Sequence, residues 1–260
     1  MRLRPHTFLA ALSLAAAALP ATAAGDNPRP LAFSPGEVLT YDARYLGATV
    51  GQVTAAVGAA TEVAGQKVWP ILGAARTESF FAFLPVKDRF VTWWDPESGS
   101  TVGSDFQADH NHWRRHERIR YDRKEQTTAS FVCEKEGMPT FAETVDVPPD
   151  SRDIVAAIFT LRQRRLAVGD HEEIPVFTGK RAFVLKLDVL RTETAEVKAG
   201  EFDAVVAAVQ VEFSGKLATK QMSIVFSNDA RHLPVRFDAE FAFGRLVVEL
   251  RSFERGVSLP

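Results

Sequence analysis

The segment from His112 to Asp122 is predicted to be a strand with a basic stripe along one face. Successive side chains of a strand point to opposite faces, so Arg114, His116, Arg118 and Arg120 share one face. Guanidinium groups hold phosphate and carboxylate through paired N–H donors. We therefore predict that these residues bind an anionic group. The alternative is that neighbouring strands supply Asp and Glu partners, which would make an ordinary charge ladder.

A second candidate site is an aromatic neighbourhood earlier in the chain. It comprises Phe80, Phe81, Phe83, Trp93 and Trp94. If no helix fills the concavity of the sheet, these rings line an apolar pocket for an acyl chain. If a helix fills it, they are core. An apolar wall beside a basic rim would suit a lipidic or other amphipathic ligand.

Signatures of metal binding and catalysis are missing from the sequence. The segment Asp109 to His116 contains three histidines, but it has no HExxH pattern and no second cluster, so we predict a solvated hairpin tip. No GxSxG, GxGxxG, Walker or CxxC motif occurs. We predict no catalytic residue, no metal and no cofactor, and binding in preference to catalysis. Scattered carboxylates such as Asp42, Glu78, Asp88 and Asp105 would support a hydrolase only if two converged.

The elements that must position these residues are mostly strands. Apolar and polar residues alternate along segments such as Glu37 to Tyr45, as they do in half-buried strands. Turn residues separate such segments at short intervals, for example Asp95 to Gly99. This pattern predicts a mostly β fold with a curved antiparallel sheet, arranged as an open half-barrel or a sandwich.

One helix is predicted, over residues 150–166. Apolar residues recur there with a 3.6-residue period, Asp150 can cap the N-terminus, and Gly169 follows the C-terminus. We expect this helix to plug or cover the curved sheet. The region 147–170 also forms a soft seam within a single β domain that is predicted over residues 36–260, after an extended lead-in at 24–35.

The N-terminus has the pattern of a secretory signal peptide. Arg2 and Arg4 precede a short apolar run, and small residues at 21–23 fit a cleavage site after Ala23 or Ala24. The run is too short to span a bilayer, and no cysteine follows it that could carry a lipid anchor. We therefore expect a periplasmic protein without a lipid anchor and without a transmembrane segment after cleavage.

Charge and cysteine content restrict the classes of partner. The 260-residue chain has a formal net charge of −2, and such a balance gives no reason to expect nucleic acid binding. The single cysteine, Cys133, cannot form an intramolecular disulfide and is predicted to be a small buried residue in a strand. The fold must therefore depend on its apolar core.

Four segments carry a family resemblance. GEVLTYDARYLGATVGQVT (36–54), DIVAAIFTLRQRRLAVGD (153–170), VKAGEFDAVV (197–206) and LPVRFDAEF (233–241) resemble the bacterial exported family named domain of unknown function 3108. The resemblance runs through nearly all of the predicted mature chain. It implies an envelope protein of Gram-negative bacteria and a curved antiparallel sheet, and it brings no activity and no site residues.

Three functions remain open at this point. The first is a binding protein or carrier for a lipidic or amphipathic envelope component. The second is an assembly factor that holds an envelope protein through a sheet edge. The third is a hydrolase of envelope glycan or lipid.

Overall fold

The computed structural model describes residues 31–77, 86–110, 113–123, 127–179, 181–211, 219–241 and 244–256. These residues form fifteen strands and one helix. The elements are β1 (Val38–Tyr45), β2 (Ala48–Val57), β3 (Thr61–Val63), β4 (Gln66–Thr77), β5 (Val86–Trp94), β6 (Thr101–His110), β7 (Trp113–Asp122), β8 (Thr128–Lys135), β9 (Phe141–Asp146), α1 (Ile154–Arg162), β10 (His171–Phe177), β11 (Ala182–Val197), β12 (Gly200–Gln210), β13 (Thr219–Ser227), β14 (Pro234–Phe241) and β15 (Gly244–Glu254).

The strands form one antiparallel sheet, as the alternating sequence pattern predicts. Its order is β10-β11-β12-β13-β14-β15-β1-β2-β4-β5-β6-β7-β8-β9, and β3 pairs with β4 beside this path. Residues 58–60 separate β2 from β3. β11 is one continuous strand of 16 residues.

The sheet rolls up without closing. Ala195 of β11 packs in one apolar cluster with Leu39 of β1 and Leu250 of β15, although β11 and β1 are five places apart in the sheet. The two ends of the strand order also approach each other, because Phe177 of β10 packs with Phe131 of β8. No ladder joins β9 to β10 in the described residues, so the predicted open half-barrel is confirmed.

A short segment before α1 covers part of the gap between β9 and β10. The Arg152 N–H donates to the Pro175 carbonyl at 3.2 Å, and the Phe177 N–H donates to the Arg152 carbonyl at 2.9 Å. These bonds pair the segment with the edge strand β10. Pro175 fits an edge strand because it has no N–H to offer a ladder.

The helix lies inside the rolled sheet and is shorter than predicted. Its N-cap is Asp153 and not Asp150, because Asp150 has a left-handed backbone (φ 61°) and Asp153 Oδ1 accepts the N–H groups of Val155 and Ala156 at 2.9 and 3.0 Å. Ala157 and Leu161 pack against β10–β13. Burial of this apolar side, more than intrinsic propensity, holds so short a helix in place.

A buried ion pair fixes the other end of the helix. Arg162 is fully buried and donates to both carboxylate oxygens of Glu37, at 2.6 and 2.9 Å. It also donates to the carbonyls of Ala32 and Arg231 and lies 5.0 Å from the Phe33 ring centroid. The helix is thereby attached to the segment before β1 and to the turn before β14.

Candidate functional site

The two faces of the sheet differ in what covers them. Thr92 of β5 donates a short hydrogen bond to Asp153, the helix N-cap, so Thr92 points to the inner face, where α1 lies. Its neighbour Trp93 must point to the outer face, because strand side chains alternate. Cross-strand register then assigns the facing residues of β4, β6, β7 and β8 to one face or the other.

The basic stripe of β7 lies on the outer face. Arg120 pairs in register with Gly103, which pairs with Trp93, and the Arg120 guanidinium carbon lies 4.3 Å from the Trp93 ring centroid. Arg114, His116 and Arg118 follow at alternate positions of the same strand. The structure therefore brings these four predicted residues onto one surface with Trp93.

Trp94 does not belong to that surface. It is buried on the inner face, with its ring centroid 4.8 Å from that of Phe33 and 5.9 Å from that of Trp69. Phe159 of α1 belongs to the same cluster, so the helix fills the sheet at this point and Trp94 is core. Phe80, Phe81 and Phe83 lie outside the described residues.

Part of the basic stripe is engaged in a charge ladder. His116 Nε2 lies 2.7 Å from Asp105 Oδ1, and its Nδ1 lies 3.2 Å from Arg118 Nη1. Arg118 donates to Glu134 at 2.6 Å, and Arg114 lies 3.6 Å from Asp109. These contacts are those of the predicted alternative, in which neighbouring strands supply the partners.

Arg120 is held differently. It donates to the carbonyl of its neighbour Ile119 at 2.7 Å and to the carbonyl of Ser104 at 3.1 Å. Partial burial lowers the pKa of Arg120 below its ordinary value, although Asp105 acts in the opposite direction. The cation stacked on Trp93 still keeps its charge at neutral pH, since arginine loses its proton only far above that range.

Three further cations lie beside the stripe and were missed by sequence reasoning. Arg76 of β4 pairs in register with Lys87 of β5, and Arg89 follows on the same face. All three are exposed, and none forms an ion pair with any residue that the structure describes. Arg76 donates to Gln52 at 3.2 Å. The alternation of Lys87 and Arg89, two residues apart in β5, was the available signal.

We refer to Arg76, Lys87, Arg89, Arg114, His116, Arg118 and Arg120 together as the cationic face. A groove of about 750 Å³ runs over part of it, between Lys87 and Arg89 on one side and His116 and Glu134 on the other. Asp109, Arg115, Lys135 and Glu136 also line the groove. Two like charges directly opposite each other, as Arg76 and Lys87 are, destabilise a sheet unless an anion compensates them. The arrangement can hold an anionic group.

A buried polar cluster surrounds the N-terminus of α1 on the inner face. Burial raises the pKa of Asp153, against the hydrogen bonds from Thr92 and the helix N–H groups, and burial also raises the pKa of Tyr121. Asp153 serves the helix cap, while the other buried carboxylate, Glu37, pairs with Arg162. These two carboxylates therefore have separate structural partners and do not form an acid–base pair.

Within the part of the chain that the structure describes, no three His, Cys, Asp or Glu side chains are grouped so that they could hold a metal ion. In the same residues, no helix has the length and apolar character needed to cross a bilayer. Cys133 is buried in β8, as predicted.

The fold and the surface described above define a class of protein: an open, rolled antiparallel sheet around one helix. Its overall fold resembles that of the β-barrel-like protein of domain of unknown function 1849 from Brucella abortus, with a TM-score of 0.55, 7% identity and coverage of 86% of this chain and 98% of that one. That likeness concerns the fold alone.

The chain belongs to the family described as protein of unknown function (DUF3108), whose model matches residues 40–251. The predicted family resemblance is thereby confirmed. No curated protein matches the chain. Weaker likenesses exist to a Bacteroides fragilis protein described as exported with a YmcC-like fold (TM-score 0.36, 10% identity, 86% of this chain and 98% of that one) and to a Parabacteroides distasonis protein described as a lipoprotein (0.33, 10%, 86% and 99%).

Proposed function

We propose that this is an exported, non-enzymatic protein that binds an anionic, amphipathic component of the cell envelope on the cationic face. The observation that carries the proposal is the group of three exposed cations, Arg76, Lys87 and Arg89, that have no ion pair among the described residues. Asp109 faces Lys87 across β5 and β6 but lies 3.6 Å from Arg114, and Glu134 accepts from Arg118 at 2.6 Å, so these two carboxylates serve five cations on this surface. An external anion would supply the missing negative charge.

The size of the groove and the chemistry of its wall support the same proposal. Its volume of about 750 Å³ falls within the range of about 300–1,000 Å³ that is usual for ligand sites. Planar guanidinium groups such as Arg89 bind phosphate or carboxylate through two parallel N–H donors. Export rests on the signal-like sequence at the N-terminus.

The test is native mass spectrometry of protein purified gently from the periplasm, followed by organic extraction of whatever is bound. Wild type is compared with the double variant Lys87→Gln, Arg89→Gln. The matched control is Lys67→Gln, Lys198→Gln, which removes two exposed lysines outside the cationic face, one at the start of β4 and one in the turn between β11 and β12. We expect an extractable added mass in the wild type and the control, and at least about a tenfold loss of occupancy in the double variant, because contacts to charged groups contribute about 1.5–3 kcal/mol each.

A bare protein mass, or equal occupancy in all three proteins, would contradict the proposal. It would favour the second candidate, an assembly factor, for which the structure offers one specific feature. The edge strand β9 pairs only with β8 among the described residues, and five of its six residues are exposed. An unpaired edge of this kind can accept a strand from a partner protein.

A further inference from the structure

We infer a second binding site, on the inner face at the edge of the sheet, for an amphiphile with one aliphatic chain and an anionic end. The site is a pocket of about 420 Å³ beside the turn between β8 and β9. It is lined by Cys133, Lys135, Met138, Pro139, Phe141 and Glu143. Lys135 also lines the groove beside the cationic face, whereas the other five residues line this pocket and not that groove. The inference therefore rests on an apolar wall that the proposed function does not use.

The pocket has an apolar wall that the protein leaves exposed. Met138 and Phe141 are 65% and 49% exposed, which is unusual for large apolar residues so close together. The Phe141 ring stands against the buried ring of Phe131, with 6.1 Å between centroids. Phe141 thus packs on the core on one side and is open to solvent on the other. An alkyl chain that covered the exposed surface of Met138 and Phe141 would bind favourably, because it would remove apolar surface from water.

The charges around the pocket favour a negative group at one end. Lys135 forms no ion pair with any residue that the structure describes, and it lies directly across from a second cation, Arg115. Glu117 cannot compensate Lys135, because Glu117 lies 3.3 Å from Arg115 and accepts from the Cys133 thiol at 3.8 Å. A carboxylate or phosphate beside Lys135 would relieve this local excess of positive charge.

The remaining carboxylate of the pocket, Glu143, stands at the far end. Cys133 pairs with Phe141, and Phe131 pairs with Glu143, so Glu143 lies four strand residues from the level of Lys135. That separation is about 13 Å at the rise of a β-strand. The anionic end is therefore assigned to Lys135 and the chain to Met138, Pro139 and Phe141.

The single cysteine of the protein provides a reporter for this pocket. Cys133 is the only thiol in the chain, it is 3% exposed, and it lies in the pocket wall. A ligand bound over it should slow its reaction with a thiol reagent such as DTNB. We expect sodium dodecanoate, below its micellar concentration, to slow this reaction at least about tenfold, and dodecyltrimethylammonium to have little effect.

Two variants locate the ligand within the pocket. Met138→Ser, Phe141→Ser should remove the protection by weakening the apolar wall, while Lys135→Gln should remove the preference for dodecanoate over the cationic amphiphile. The matched control, Leu72→Ser, Val168→Ser, replaces two apolar residues of similar exposure (45% and 56%) elsewhere on the molecule and should keep full protection. Circular dichroism confirms that each variant is folded.

Three results would overturn the inference. They are the absence of protection in the wild type, equal protection by the two amphiphiles, and unchanged protection in folded Met138→Ser, Phe141→Ser. The variant Lys87→Gln, Arg89→Gln separates this site from the cationic face: protection should persist there, and its loss would show that dodecanoate acts from the outer face.

Discussion

The interior and the outer face of this protein differ in whether their charged side chains have ion-pair partners. In the interior, Arg162 has a bidentate carboxylate partner, two carbonyl acceptors and aromatic rings around it. On the outer face, Arg76, Lys87 and Arg89 stand in water without an ion pair among the described residues. A charge inside must be satisfied for the chain to fold, because desolvation without a partner costs several kcal/mol. A charge outside can remain available for a ligand.

The outer face itself is not uniform. Around β14, β15 and β1, the arginines are paired: Arg236 with Glu249, Arg245 with Asp238, and Arg251 with Asp42. Around β4 and β5 the cations lack such partners among the residues that the structure describes. This difference between two parts of one sheet, more than the net charge of the chain, locates the proposed binding surface.

The largest expected effect comes from breaking the interior pair. Arg162→Met should lower the free energy of unfolding by about 3–5 kcal/mol, because it leaves the Glu37 carboxylate buried without a counter-charge. Urea denaturation followed by tryptophan fluorescence measures the loss. The double variant Glu37→Met, Arg162→Met should lose less than the sum of the two single changes. Strict additivity would show that the two side chains are not coupled in the folded state.

An intermediate effect is expected at the helix N-cap. Asp153→Ala should destabilise the protein by about 1–3 kcal/mol, since two helix N–H groups lose their acceptor in a buried place. Asp153→Asn should keep the cap: its Oδ1 can accept the same N–H groups, and its amide can donate to Thr92, whose hydroxyl is 3.4 Å from the Gly103 carbonyl.

The same pair of variants tests the pH dependence. Burial raises the folded-state pKa of Asp153. The contribution of this carboxyl group to the free energy of unfolding is therefore fully present below its unfolded-state pKa of about 3.9. That contribution is lost as the pH rises through the folded-state pKa. The stability of Asp153→Asn relative to the wild type should therefore increase from acidic to neutral pH. A constant difference across that range would contradict the raised pKa.

The smallest effect is expected on the outer face. Arg118→Ala breaks an ion pair whose side chains are 34% and 45% exposed, so it should change the free energy of unfolding by at most about 1 kcal/mol, and by less at high salt. Chemical denaturation in low and high salt measures this change. A loss as large as that of Arg162→Met would remove the distinction between a charged interior that specifies the fold and a charged surface that is available for binding.

Much of the fold could be predicted from local patterns. Alternation in segments such as Glu37 to Tyr45 predicted strands, and these strands pair as antiparallel neighbours. Two strands do not show this alternation clearly. β9 has no apolar alternation, because it is an exposed edge, and β10 is interrupted by charged residues and by Pro175. The helix was predicted correctly, but its N-cap is Asp153 and not the predicted Asp150. The three residues between belong to a segment that pairs with β10 instead of joining the helix.

The candidate site could be predicted only in part. The two-residue period placed Arg114, His116, Arg118 and Arg120 on one face. Trp93 and Trp94 were instead predicted to line one pocket together, and the structure places them on opposite faces of β5. A period also cannot say which face the helix will cover. That depends on contacts between residues far apart in sequence, such as Thr92 with Asp153 and Glu37 with Arg162. The sequence by itself determined the strands, the helix and the alternation of their faces. Only the tertiary structure decided which charges found partners and which remained exposed, because pairing depends on the register of distant strands.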